Sequence, residues 1–235
     1  MEQELLILAY HRVGRPDPGA RYKGQFVTPA QLAFQVKGLQ HLNYQVLTLT
    51  DALGAPGKRA VITFDDGYRN NLVLGLPVLS SIGVPATVFA VTTDVGRSGV
   101  VWEEAGETNP SDLMNWDELK QLQAHGWEIG SHCSKHVHLA IKSDDEQVKL
   151  IKDSMDELIK HLGPSSYPFA YPYGSFTSRT SDIVKNAGFS CAVSMLAGSQ
   201  STGDKRYSLR RMPMKGYRAD HYLRAPIWWA TRILE

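Results

Sequence analysis

Cysteine is nearly absent from this chain: Cys133 and Cys191 are its only two in 235 residues. That excludes a disulfide framework as the source of stability, and two free thiols in a reducing compartment is the simple reading. A single bridge between them is the other arrangement open. Charge of one sign is also lacking, since 25 Lys and Arg against 24 Asp and Glu leave a net charge of +1. No broad basic field would draw nucleic acid, so none is expected as a partner. No apolar run approaches the ~18 residues that span a bilayer. The opening Met1-Glu-Gln-Glu is acidic and its apolar run short, unlike a secretory leader. These absences lead to the expectation of a cytoplasmic protein, with no signal peptide or transmembrane segment in this chain. Repeats, low-complexity runs and linkers are missing too, so one domain over residues 1–235 is expected.

What is present is an alternation of short apolar runs with amphipathic stretches. Leu5 to Tyr10, Ala60 to Phe64, Ala86 to Val91, Glu128 to Ser131 and Tyr167 to Tyr171 are each flanked by turn residues and read as buried strands. Helix starts stand between them. Thr28-Pro-Ala-Gln31 offers an N-cap, a proline at the first position and a capping-box partner, opening a helix to about Leu42. Asn115-Trp-Asp-Glu118 opens another that ends near His125-Gly126, and Ser143-Asp-Asp-Glu146 a third. In the third, Val148, Ile151, Met155, Leu158 and Leu162 follow the spacing of one buried face. A fourth begins after Ser178. Such alternation predicts a parallel sheet or barrel with helices outside, and chemistry at the carboxyl ends of its strands.

Polar clusters follow several of these strands. In Val61-Ile-Thr-Phe-Asp65-Asp66-Gly67, two adjacent carboxylates repel each other if both stay charged in a cleft, and a cation removes the conflict. Gly67 allows a sharp turn that brings both side chains to one side. Alone, the triplet reads more readily as a surface turn. Glu128 to His138 carries His132 and His136, spaced to meet at one point if the segment is helical or turns tightly, with His138 nearby. Two imidazoles and one carboxylate make an open metal site. Cys133 is a minor alternative ligand. Phe169-Ala-Tyr-Pro-Tyr173-Gly174 is a rigid turn able to offer a backbone N–H to an oxyanion, or simply a strand-to-helix connection. His11 ends the first strand at the same rim; an isolated histidine there is most often structural.

Taken together, Thr63-Phe-Asp-Asp-Gly67, His132-Cys-Ser-Lys-His136 and Tyr171-Pro-Tyr-Gly174 resemble the polysaccharide deacetylase family, carbohydrate esterase family four. The spacers Pro77 to Phe89 and Met114 to His132 resemble it as well, and the likeness runs over roughly residues 5 to 195. It implies a distorted (β/α) barrel and hydrolysis of N-acetyl groups on a sugar or glycan. It implies a divalent metal, zinc first and cobalt, nickel or iron as options, held by Asp66, His132 and His136. It implies Asp65 as general base and the Tyr173 N–H as oxyanion donor. The sequence departs from the pattern twice. Ala170 stands where the family usually has an arginine that orients the base; Arg210 and Arg211 are the candidates to supply that charge, Arg211 being assigned. The late Leu-x-x-His motif of the general acid is missing, but Leu8-Ala-Tyr-His11 resembles a branch with a leading Tyr-His motif, which assigns the acid to His11.

Two other readings stay open: a catalytically inactive carbohydrate-binding domain on the same scaffold, and an amidohydrolase acting on a small non-sugar amide. Acetyl release from sugar and non-sugar amides separates them. The C-terminal Tyr222 to Leu234 is short, basic and aromatic; it reads as a terminal helix packed on the barrel or as a weak membrane-surface contact.

Overall fold

The computed structural model describes residues 4–16, 18–102, 110–196 and 206–216. Its central feature is an eight-stranded, all-parallel sheet. The strands are β1 (Glu4–Tyr10), β4 (Gln45–Leu47), β5 (Lys58–Phe64), β6 (Thr87–Ala90), β7 (Glu128–Ser131), β8 (Phe169–Ala170), β9 (Ala192–Val193) and β10 (Met212–Pro213). A separate pair, β2 (Arg12–Val13) and β3 (Phe26–Val27), lies beside them. The helices are α1 (Pro29–His41), α2 (Leu49–Gly54), α3 (Leu76–Ile82), α4 (Trp116–Ala124), α5 (Asp144–Leu162) and α6 (Ser178–Asn186).

Strand alternation sorts the core into two compartments. Leu6, Leu8 and Tyr10 of β1 and Ala60, Ile62 and Phe64 of β5 pack outward against the helices. Leu5, Ile7, Val61, Phe89, Ala170, Cys191, Val193 and Leu209 form a second, inner cluster. A strand buried on both faces has no polar side to show, which is why β1, β5 and β6 read as largely apolar runs.

The sheet path runs β10-β1-β5-β6-β7-β8-β9, with β4 sharing the edge of β5. The chain just before β10 then closes the circle. Leu209 bridges Val193 of β9 in parallel, while Met212 and Pro213 pair with Leu8 and Ala9 of β1. One short stretch therefore stitches the last strand to the first. This is the distorted (β/α) barrel that the family resemblance implied, and one of the two forms that the alternation allowed.

The helix starts behave as the sequence indicates. Thr28, Asn115 and Ser143 are N-caps with complete capping boxes to Gln31, Glu118 and Glu146. One face needs correction: Val148 is exposed, not buried. Gln147 takes the inner place in that first turn, its Nε2 donating to the Lys142 carbonyl at 2.9 Å, which rotates Val148 to solvent. Among the described residues, no helix is long and apolar enough to cross a membrane. The segment Tyr222 to Leu234 lies outside the described residues.

Gly130 shows how closely β7 approaches its neighbours. A Cβ there would sit 2.6 Å from the Phe89 ring and 2.7 Å from the Pro168 carbonyl oxygen. The ring can tilt but the backbone oxygen cannot follow. Gly130→Ala is expected to cost about 1–3 kcal/mol in denaturant unfolding, as overpacking does. Gly54→Ala, with open space around it, serves as control; equal midpoints for the two variants would refute the close packing.

Candidate active site

The rim at the carboxyl ends of β5, β6, β7 and β8 gathers the polar clusters. After Phe64 the chain leaves the extended conformation: Asp66 has φ 73° and Gly67 φ 75°. Two successive left-handed residues end the side-chain alternation, so Asp65 and Asp66 both turn into the rim instead of to opposite faces. The turn is anchored by Asp65 N–H donating to the Tyr10 carbonyl at 3.0 Å and Met114 N–H to the Gly67 carbonyl at 2.9 Å. Both aspartates are buried.

The histidine pair comes together through a tight turn, not a helix. His132 N–H donates to the Ala90 carbonyl at 2.8 Å, and Cys133 then takes φ 68°. That reversal sends the Cys133 side chain into the outer core, where burial pushes its thiol up to about 11. It leaves His132 and His136 facing Asp66. Their Nε2 atoms approach Asp66 Oδ1 at 3.4 and 3.3 Å. One ligand atom from each of the three lies within 4.8 Å of the others.

This trio fits a divalent cation. Asp66 Oδ1 is buried without a hydrogen-bond partner among the described residues, a costly state for a carboxylate oxygen unless a cation meets it. His132 Nδ1 contacts the Ala170 carbonyl at 2.8 Å, which fixes the tautomer with Nε2 as the free ligand atom. Burial pushes the His132 imidazole down to about 4 against the pull of Asp65 and Asp66, so it is neutral, as a ligand must be. Burial acts to raise Asp66 as well, but the neighbouring histidines outweigh it and hold the carboxyl far below its usual range.

Asp65 has a different partner. Arg211, fully buried, grips it with two hydrogen bonds, Nη1 to Oδ1 at 2.7 Å and Nη2 to Oδ2 at 2.8 Å. The same guanidinium donates to Thr63 Oγ1 at 3.0 Å and to the Ser194 carbonyl at 3.1 Å. It lies 5.7 Å from the centroid of Phe89, in the inner cluster that contains Ala170. The position where the family pattern has arginine is thus occupied by a small side chain, and Arg211 on the closing stretch brings the charge from another strand. Of the two arginine candidates, Arg211 makes this pair.

Around this centre, Tyr173 adopts φ 58°, ψ 7° and sets its ring edge-on to His136 at 4.3 Å between centroids. His11 is half-buried, and its carbonyl accepts from Asn71 Nδ2 at 2.9 Å. Trp102, with its ring 4.5 Å from His136 and its indole N–H unpartnered among the described residues, was not foreseen. It sits on a long excursion after β6 where no periodicity marks it.

The Asp65–Arg211 pair yields a stability prediction. Burial alone would raise the Asp65 carboxyl, but Arg211, then His132, bring it below its ordinary value. A depressed carboxylate stabilises the fold above its unfolded pKa, and that stability is lost as pH falls through the folded pKa. Arg211→Met removes the largest influence that opposes burial and leaves the buried Asp65 without its cationic partner. In metal-free protein the variant is expected to lose about 3–5 kcal/mol at neutral pH, the usual cost of breaking a buried pair. The gap to wild type should narrow in acid, once Asp65 is protonated. A pH-independent gap in urea unfolding would show that packing alone is lost.

Comparison with known proteins agrees with this geometry. The polysaccharide deacetylase family model matches residues 53–192. A poly-beta-1,6-N-acetyl-D-glucosamine N-deacetylase of Staphylococcus aureus is 25% identical over 248 residues, covering 95% of this chain and 83% of that protein. Among solved structures, IcaB from Ammonifex degensii superposes with a TM-score of 0.78 at 24% identity, covering 97% of each chain. Streptococcus pyogenes deacetylase PplD gives 0.76 at 22% identity over 90% of this chain and 92% of that one. These two share the fold. With more than half its length matched by the family model, the chain belongs to the polysaccharide deacetylase family.

Proposed function

We propose that this protein hydrolyses the N-acetyl group of an N-acetylated sugar within a glycan, using a divalent ion held by Asp66, His132 and His136. The observation that carries the reading is the division between two adjacent carboxylates. Asp65 is locked to Arg211 at 2.7 and 2.8 Å, whereas Asp66 faces two imidazoles with one oxygen unpartnered among the described residues. One carboxylate is set up to move protons and the other to hold a cation. The Staphylococcus aureus relative is a deacetylase of a poly-N-acetylglucosamine, which favours a polymeric N-acetylated substrate over a small non-sugar amide. Intact Asp65, Asp66, His132 and His136 argue against an inactive binding domain.

Two imidazoles and a carboxylate suit zinc best, with cobalt, nickel or iron as substitutes. Such an ion would supply Lewis-acid polarisation of the acetyl carbonyl and acidify water for a base as weak as the arginine-paired Asp65. Asp65 takes the proton from the attacking water, its orientation fixed by the two Arg211 bonds. The Tyr173 N–H donates to the oxyanion of the tetrahedral intermediate. His11 gives a proton to the departing amine, which leaves poorly as an anion. One domain spanning residues 1–235 carries all these groups, from His11 to Arg211.

The test is acetate release from poly-N-acetylglucosamine by metal-reconstituted protein, with a non-sugar acetamide as comparison. Chelation should abolish release and zinc restore it. Asp65→Asn should lose turnover while keeping metal, and Asp66→Asn should lose metal first. The reverse pattern would mean the two roles are exchanged, and release from the non-sugar amide alone would favour the small-amide reading.

His11 has its own test. An acid that must be protonated makes activity fall as pH rises through its pKa in the enzyme–substrate complex. His11→Ala should remove that alkaline limb and cost roughly 10²–10⁴ in turnover on the amide. On an activated aryl acetate, whose leaving group needs little protonation, the loss should be much smaller. Equal losses on both substrates would point to a damaged site and end the general-acid assignment.

A further inference from the structure

The turn that carries Tyr173 is unfavourable by itself. Tyr173 at φ 58° and Gly174 at φ 66° are consecutive left-handed residues, and the first has a side chain. Gly174 has no room for one: a Cβ there would lie 2.8 Å from Met195 Cβ. Two rings pack on this turn. The Tyr173 ring stacks on His138, with centroids 4.0 Å apart and planes 17° from parallel, and also lies edge-on to His136 at 4.3 Å and 61°. His138 is not part of the Asp66–His132–His136 trio. A second tie joins the same two loops, the Ala140 N–H donating to Ser175 Oγ at 3.2 Å.

We propose that His138 is a positioning residue: its ring braces Tyr173 in the left-handed turn and thereby aims the Tyr173 main-chain N–H at the reacting carbonyl. This rests on the proposed use of that N–H as oxyanion donor. The brace also sets one side of the packing around His136, so the loop after β7 and the turn after β8 keep a fixed spacing. Flat stacking is what the role requires of residue 138; the imidazole nitrogens are not needed for it.

The experiment compares His138→Ala with His138→Phe in the metal-loaded protein. His138→Ala should lower kcat on the N-acetylated substrate roughly three- to tenfold, the span of one aromatic stacking contact, with KM and bound metal unchanged. Amide exchange at Gly174 and Ser175, whose N–H groups donate to the Tyr171 and Pro172 carbonyls at 2.9 Å, should speed up by a similar factor. Phe keeps a flat ring and should restore both readouts, and a melting temperature near wild type in either variant excludes general unfolding. Unchanged exchange in the Ala variant, or failure of Phe to restore it, overturns the brace. Faster exchange with unchanged kcat supports the brace and overturns the oxyanion role of Tyr173, so the two claims fail separately.

Discussion

A guanidinium with no exposed surface, clasped to a buried carboxylate, is the constraint on which the rest of this structure depends. Arg211 and Asp65 are both out of water, and their two hydrogen bonds at 2.7 and 2.8 Å are what make that tolerable. The pair forms only if Asp65, at the end of β5, and Arg211, on the stretch that closes the barrel, meet across the interior. That stretch must therefore pair with Val193 on one side and Leu8 on the other. Closing the sheet and setting the charge of Asp65 are one event. Asp66, one residue on, is left to the histidines, so the same turn that seats the pair creates the cation site.

Much of this was legible in the sequence because it rests on local chemistry. The capping boxes at Thr28, Asn115 and Ser143 are written within four residues each, and the structure has them in place. Each of the five short apolar runs holds a strand, the last of them only Phe169–Ala170. The Asp65-Asp66-Gly67 triplet and the His132–His136 pair declared themselves by following strands. What stayed hidden depends on tertiary contact. The strands Ala192–Val193 and Met212–Pro213 are two residues long, too short for any period. Val148 fits the helical spacing of its neighbours, yet Gln147 wins the inner place through a hydrogen bond the periodicity does not encode. Trp102 reaches His136 from a long irregular segment with no signal at all.

Ala170 leaves β8 with a small side chain, while the Asp65 carboxylate is met by Arg211. Ala170 points into the barrel with Leu5, Ile7, Val61 and Phe89. The Arg211 guanidinium lies 5.7 Å from the centroid of Phe89 in that same cluster, and it donates to Thr63 and Ser194. The sequence posed this as a choice between Arg210 and Arg211; the Arg211 guanidinium is the one that grips Asp65 with two hydrogen bonds.

The two polar residues farthest from the family motifs in the chain, His11 and Arg211, lie outside the stretch matched by the family model at residues 53–192. They nonetheless belong to neighbouring strands: His11 follows β1, Arg211 precedes β10, and these two pair directly. In the proposed reaction one delivers a proton and the other orients the base. Both thus depend on a contact between the beginning and the end of the described chain, while the ligand trio depends only on strands between. Loosening the closing stretch would then disturb proton transfer before cation binding. With the seam open, Asp65 would lose both of its Arg211 bonds and with them its orientation.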